Sequence, residues 1–260
     1  MQVDVTHASV QVAAGPITLD MSEFGVPEQV HPVSAWVLWT CGFVALAGLG
    51  PAAMSFYFLW HPFGTNPPPR EVMMIGGAAF VLMSAVLAGM ALRVRTLTYL
   101  VFPQALVEMR GGRSRIFRWD EITELFEEPR GTARFRIVVG GRRKSIASIV
   151  QNRQALGETI AARVTGRLLP PALRTFEKGG TVAFGPLSVS PDLLTFKNKQ
   201  LAWSQIGRIE IKYNPQMKST QLEVRLDGQF LPWCNVAVRN IPNLRVFLEL
   251  ARRACPNCLA

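Results

Sequence analysis

Histidine is scarce, cysteine nearly so, and the first sixty residues contain no lysine or arginine. The three histidines, His7, His31 and His61, all fall in the first quarter of the chain. Chemistry in the remaining three quarters has no imidazole to use, which excludes His-based hydrolase triads and His-ligated metal sites there. Four cysteines in 260 residues exclude a disulfide-rich secreted scaffold. Charged residues make up only 18%, against about 25% in an ordinary soluble domain. Nor is there a phosphate loop. Gly76-Gly77, Gly111-Gly112, Gly140-Gly141 and Gly179-Gly180 are not followed by Gly-Lys-Ser/Thr, and no GxGxxG occurs.

What is present is apolar sequence and an uneven charge. Hydrophobic residues reach 49% and the mean hydropathy is +0.19. The net charge of +10 is split along the chain. Residues 1–60 hold Asp4, Asp20, Glu23 and Glu28 with no cation, whereas residues 93–260 hold 27 Lys/Arg against 13 Asp/Glu. A basic part of this kind points to a membrane surface or a nucleic acid as neighbour.

Val33–Trp60 is a run of 28 residues without charge, and Val72–Leu92 a second of 21. As helices they would reach about 42 and 32 Å, enough for the roughly 30 Å hydrocarbon core of a bilayer. Trp36, Trp39, Tyr57 and Trp60 lie towards the ends of the first run, where amphipathic rings favour the interface. Pro51 marks a kink or tilt. The connector His61–Glu71 is rich in proline and suits an antiparallel hairpin. Arg93 and Arg95 follow the second run, so the positive-inside rule predicts an inner (cytoplasmic) membrane protein with both termini in the cytoplasm. Residues 1–32 read as a mostly disordered tail, with at most a short strand near Val10.

After Arg95 the pattern changes to alternation, which signals strands. The expected strands are 97–102, 105–109, 114–119, 122–127, 133–139 and 144–149. Asn152 then caps an amphipathic helix carrying Ala155, Leu156, Ile160 and Val164. The scheme recurs with strands at 181–184, 187–190, 193–197, 201–203, 206–213, 220–226 and 229–234, and a helix following Pro242-Asn243. Trp119 and Ile122 in the first copy match Trp203 and Ile206 in the second at an offset of 84 residues. These four read as the repeated structural core, with both indoles packed inside. The domain plan is therefore a tail (1–32), a helical hairpin (33–92) and two repeats (97–167 and 181–255).

A basic turn, a strand ending in Trp-polar-polar-Ile, further strands and a closing amphipathic helix resemble the bacterial pleckstrin-homology-like (PH-like) domain. The stretches Phe117–Leu125, Leu168–Leu173, Phe184–Ser190 and Pro242–Ala251 are similar to a family of uncharacterised two-helix membrane proteins with tandem PH-like domains. The resemblance implies an α+β membrane protein in which a transmembrane hairpin precedes two PH-like β-barrels, each closed by a C-terminal helix. It implies binding of phosphoinositide-like headgroups, peptides or a second copy, and no catalysis.

Two basic clusters are the candidate contacts for anionic lipid headgroups: Arg110, Arg113 and Arg115, joined by Arg118, and Arg142, Arg143 and Lys144. Each such residue near an anionic leaflet contributes about 1 kcal/mol; solvated strand edges are the plainer use of the same residues. Glu127-Glu128, near Asp120-Glu121, reads as an exposed acidic face. Cys255-Pro-Asn-Cys258 has half the ligands of a zinc site and no thioredoxin-like setting, and reads as a frayed tail. Cys41 reads as a small apolar filler in the first span.

The sequence thus implies no catalytic residue, metal or cofactor. The expected function is a non-enzymatic module at the inner leaflet, contacting the bilayer, anionic headgroups, a protein partner or a second copy. A basic nucleic-acid-binding membrane protein is the alternative, disfavoured by the lack of an aromatic-interleaved RNA motif or a helix-turn-helix. A membrane enzyme without a recognisable motif is the third reading.

Overall fold

A sheet that is interrupted by two long apolar helices opens the fold. The structure, a computed structural model, describes residues 24–61, 69–128, 134–147 and 149–259. The tail before Phe24, including the strand expected near Val10, and most of the proline-rich connector lie outside them. The chain divides into two compact units. The first comprises residues up to 116 together with 149–151; the second comprises 117–148 and the chain from 152 onward.

In the first unit, β1 (Gln29–Pro32) is followed at once by α1 (Ala35–Trp60) and α2 (Arg70–Arg95), and then by β2 (Thr98–Val101). β1 pairs antiparallel with β2, Gln29 opposite Val101 and Pro32 opposite Thr98. β3 (Ala105–Arg110) and β4 (Arg113–Arg118) complete a four-stranded sheet in the order β1-β2-β3-β4. The sequence pattern left Gln29–Pro32 in the tail, because QVHP is only four residues long, buries His31 and exposes Val30, and its partner lies beyond both helices. Beyond β1, Val33 bridges Val150, and the Gln151 amide donates to the Pro32 carbonyl (2.7 Å). Phe24 is buried against Phe102.

Each helix has 26 residues and is long and apolar enough to cross a membrane. They pack antiparallel through small residues, with Gly48 opposite Ser84 and Gly77 against Ser55 and Phe56. A Cβ at Gly48 would overlap the Ser84 hydroxyl, which would have to turn away to admit it, so glycine suits the close approach there. Away from that seam, Trp39, Phe43, Leu46 and Ile75 are at least 70% exposed.

The second unit repeats one scheme. A 3-10 turn at Trp119–Glu121 leads into β5 (Ile122–Glu128), β6 (Arg134–Val139) and β7 (Arg142–Ile146), an antiparallel three-stranded sheet. α3 (Arg153–Glu177) follows. Next come β8 (Val182–Phe184), β9 (Leu187–Val189), β10 (Leu193–Phe196) and β11 (Lys199–Ala202), a four-stranded sheet in the order β11-β10-β9-β8. A second 3-10 turn at Trp203–Gln205 leads into the sheet β12 (Ile206–Asn214), β13 (Ser219–Leu226) and β14 (Pro232–Ala237), and α4 (Leu244–Ala254) closes the order. Irregularities of register fall at Ile122/Glu124 and at Ile206/Arg208, again 84 residues apart.

Two details differ from the expected plan. The strands equivalent to β1 and β2 are β8 and β9, joined only by Gly185-Pro186. Gly185 has φ +65°, and a Cβ there would stand 2.8 Å from the Asn240 carbonyl oxygen, so the turn needs glycine. The helical hairpin therefore occupies, in the first copy, the place of a two-residue turn. Secondly, no linker separates residues 167 and 181. α3 runs through Pro170-Pro171 to Glu177. Its first half buries Leu156, Ile160 and Val164, while Leu168, Leu169, Ala172, Leu173 and Phe176 pack on the core of the second copy. Burial of that second apolar stretch outweighs the amide donors lost at the two prolines.

Candidate functional site

The first basic cluster belongs to the β3–β4 turn. Gly111 and Gly112 both have positive φ and set a tight turn flanked by Arg110 and Arg113. Arg113 and Arg115 share one face of β4 by strand alternation, and all three arginines are exposed. Thr96, the residue after α2, anchors this turn. Its hydroxyl donates to the Arg93 carbonyl (3.2 Å) and accepts from the Gly111 amide (2.9 Å). Arg110 and Arg113 thus flank an amide fixed one residue beyond Arg95. With Arg93 and Arg95 they form a basic collar at the C-terminal end of an apolar helix, where the helix dipole also favours cations. The sequence placed Arg93 and Arg95 here; the role of Thr96 had no signal in it.

The second cluster lies in the other unit. Gly140 and Gly141, at φ +54° and +72°, turn the chain into β7. Arg142 and Arg143 are exposed and Lys144 is half-buried. The Arg143 and Arg136 guanidinium groups lie 5.3 and 5.6 Å from the Phe126 ring centre, within cation–π range. A cleft of about 350 Å³ beside them is lined by Phe126, Glu128, Arg136, Ser145 and Arg239.

Glu127 corrects the sequence reading. It is buried, not part of an exposed acidic face, because α4 brings a partner to it. Arg245 Nε donates to both carboxylate oxygens (3.1 and 3.2 Å), and Arg245 Nη2 reaches Glu158 on α3 at 2.7 Å. Burial pushes the Glu127 carboxyl above its ordinary 4.5, and the Arg245 charge pulls it part of the way back. The same carboxylates hold the Arg245 guanidinium firmly protonated. Beside this triad, Asn243 pairs with the edge of β5. Its amide donates to the Leu125 carbonyl (2.7 Å), and its side-chain oxygen accepts from the Leu125 amide (2.9 Å).

Trp119, Trp203, Ile122 and Ile206 are buried, at 7% exposure or less. The Trp203 indole donates to the Ser190 carbonyl (2.9 Å). The segment after α4 is also not frayed. Cys255 and Cys258 form a disulfide with a Cα separation of 5.4 Å, and Cys258 is buried in the core of the second copy. A tight turn puts its sulfur beside β12, a three-dimensional neighbour that spacing alone does not reveal. Cys234 is a buried free thiol whose pKa burial pushes up to about 12. Among the described residues, no three His, Cys, Asp or Glu side chains are grouped to hold a metal ion.

The class defined here is an α+β protein in which a pair of long apolar helices is set into a repeated antiparallel-sheet scheme. The chain belongs to DUF6585, a family of unknown function, whose model matches residues 36–257. That span starts at α1 and takes in every later element. The chain matches no curated protein.

Proposed function

We propose that this is a non-enzymatic membrane-anchored module, with α1 and α2 spanning the cytoplasmic membrane and two PH-like copies working at its inner leaflet. The order of four strands, 3-10 turn, three strands and helix, met twice, supports the PH-like reading. Both termini lie in the cytoplasm, on the argument of the basic residues that follow α2. The observation that carries the functional reading is the Thr96 link. It fixes Arg110 and Arg113 to the end of α2, at the level where a spanning helix meets phosphate headgroups. Arg93, Arg95, Arg110 and Arg113 bind anionic headgroups there, and Arg142, Arg143 and Lys144 add a second charged surface for lipid or protein. The task of the collar is to orient the copies, since the helices already provide the anchorage. The buried Glu127 carboxylate and the partly exposed Arg245 are engaged with each other and with Glu158, which leaves them a structural task.

The test uses the full chain in lipid nanodiscs, read by hydrogen exchange. Anionic lipid should slow exchange over residues 110–115 relative to neutral lipid, and raised salt should abolish the difference. Replacing Arg110 and Arg113 by Gln should do the same at low salt. Equal exchange in neutral and anionic discs would sink the headgroup reading.

A further inference from the structure

The β5 and β12 edges are equivalent strands with different occupants. Leu125 on β5 and Ile209 on β12 stand 84 residues apart, in the register of the repeated tryptophans. Leu125 has both backbone groups taken by Asn243. Ile209 donates its amide to the Cys258 carbonyl (2.6 Å), and Leu259 forms a parallel bridge with it. The second copy closes the edge of the first, and residues 258–259 close the edge of the second. An uncovered strand edge accepts another strand, so what sits at Ile209 decides whether β12 is free to pair.

We propose that the β12 edge is a strand-docking site occupied by this chain's own residues 258–259, and that the Cys255–Cys258 disulfide controls that occupancy. The backbone hydrogen bond contributes about 1 kcal/mol net, and burial of Cys258 with packing of Leu259 adds to it, so the disulfide acts by keeping the returning turn short. The turn that returns the chain from α4 to β12 is closed by the disulfide, with the Cys258 amide bonded to the Cys255 carbonyl (3.2 Å). Cys255 is half-exposed and Cys258 buried, so a dithiol reductant reaches the Cys255 sulfur first. Its thiolate attacks that sulfur, and Cys258 leaves as a thiolate that takes up a proton. The second thiol of the reagent then displaces Cys255, which is protonated in turn. The protein disulfide gains two electrons, and the dithiol becomes a cyclic disulfide. On the cytoplasmic side proposed above, thiol buffers keep such pairs reduced, and the open edge is the resting state. The strap itself stands independently of any lipid contact.

The test follows single-amide hydrogen exchange of the full chain in detergent, with dithiothreitol as the reductant. In oxidised protein the Ile209 amide should be protected. Dithiothreitol should speed its exchange at least tenfold while leaving the Leu125 amide, held by Asn243, unchanged. The double variant C255S/C258S should exchange rapidly at Ile209 with or without dithiothreitol, and C234S should behave as wild type. Unchanged protection at Ile209 on reduction would overturn the proposal, as would parallel loss at Leu125.

Discussion

Arg245 shows how much depends on one side chain. It is the partner of a carboxylate whose side chain is only 7% exposed, while its own is 35% exposed. Arg245→Met should cost about 2–4 kcal/mol at neutral pH, short of the largest values for buried pairs because Arg245 still sees water. Adding Glu127→Gln should recover much of the loss, since the penalty is an unpaired buried charge; additive effects in the thermal-melt cycle would contradict this. The pH dependence has a definite sign. A carboxyl held above its ordinary 4.5 contributes stability that is complete below that value and declines as pH rises through the folded-state value. Glu127→Gln alone should flatten that segment of the profile. Trp203 is a separate matter of volume. Trp203→Ala should lower stability by about 3–5 kcal/mol, whereas Trp203→Phe keeps most of the ring and loses the Ser190 bond, worth about 1 kcal/mol. An unchanged melting temperature for the alanine variant would remove the indole from the core.

At the level of elements, the seam between α1 and α2 is the clearest dependence. Gly48→Leu should overpack it and cost about 1–3 kcal/mol, seen as a lower melting temperature in detergent. Gly42→Leu and Gly89→Leu are the controls, because a Cβ at either position meets nothing within 4 Å. An equal drop in all three variants would point to helix burial in general, not to the seam. Much of the element order was legible. Alternation located most of the strands to within two residues, and Asn152 and Asn243 do precede helices, but both are left-handed and neither makes the side-chain capping bond expected of Asn152. β14 was placed too early because Phe230 and Leu231, apolar enough to pass for strand residues, stand exposed in the preceding turn. Other features lay beyond local pattern. Pro170-Pro171 looks like a break until Leu168, Leu169 and Leu173 are seen packing on the second copy. β1 is too short to declare itself without β2. Asn243, Arg245 and Cys258 act on residues about 50 to 120 positions away, and one sequence holds no record of such pairings.

For the molecule as a whole, the placement of the helical pair between β1 and β2 sets an order in time. β1 leaves the ribosome first, the helices next and β2 last, so the opening sheet has no second strand until both helices have been made. In the second copy the same two strands meet across Gly185-Pro186, and they close as a local hairpin. In the first copy the ends to be joined, Pro32 and Thr98, are separated by the whole helical pair. A flexible loop of that length would carry a closure cost that grows with the logarithm of its length. The packed helices reduce it, because pairing α1 against α2 brings the two strand ends together before they bond. Assembly of the helices is thereby the step that makes the first sheet a local structure. A fault at Gly48 would be felt as a late or missing strand far from the glycine itself.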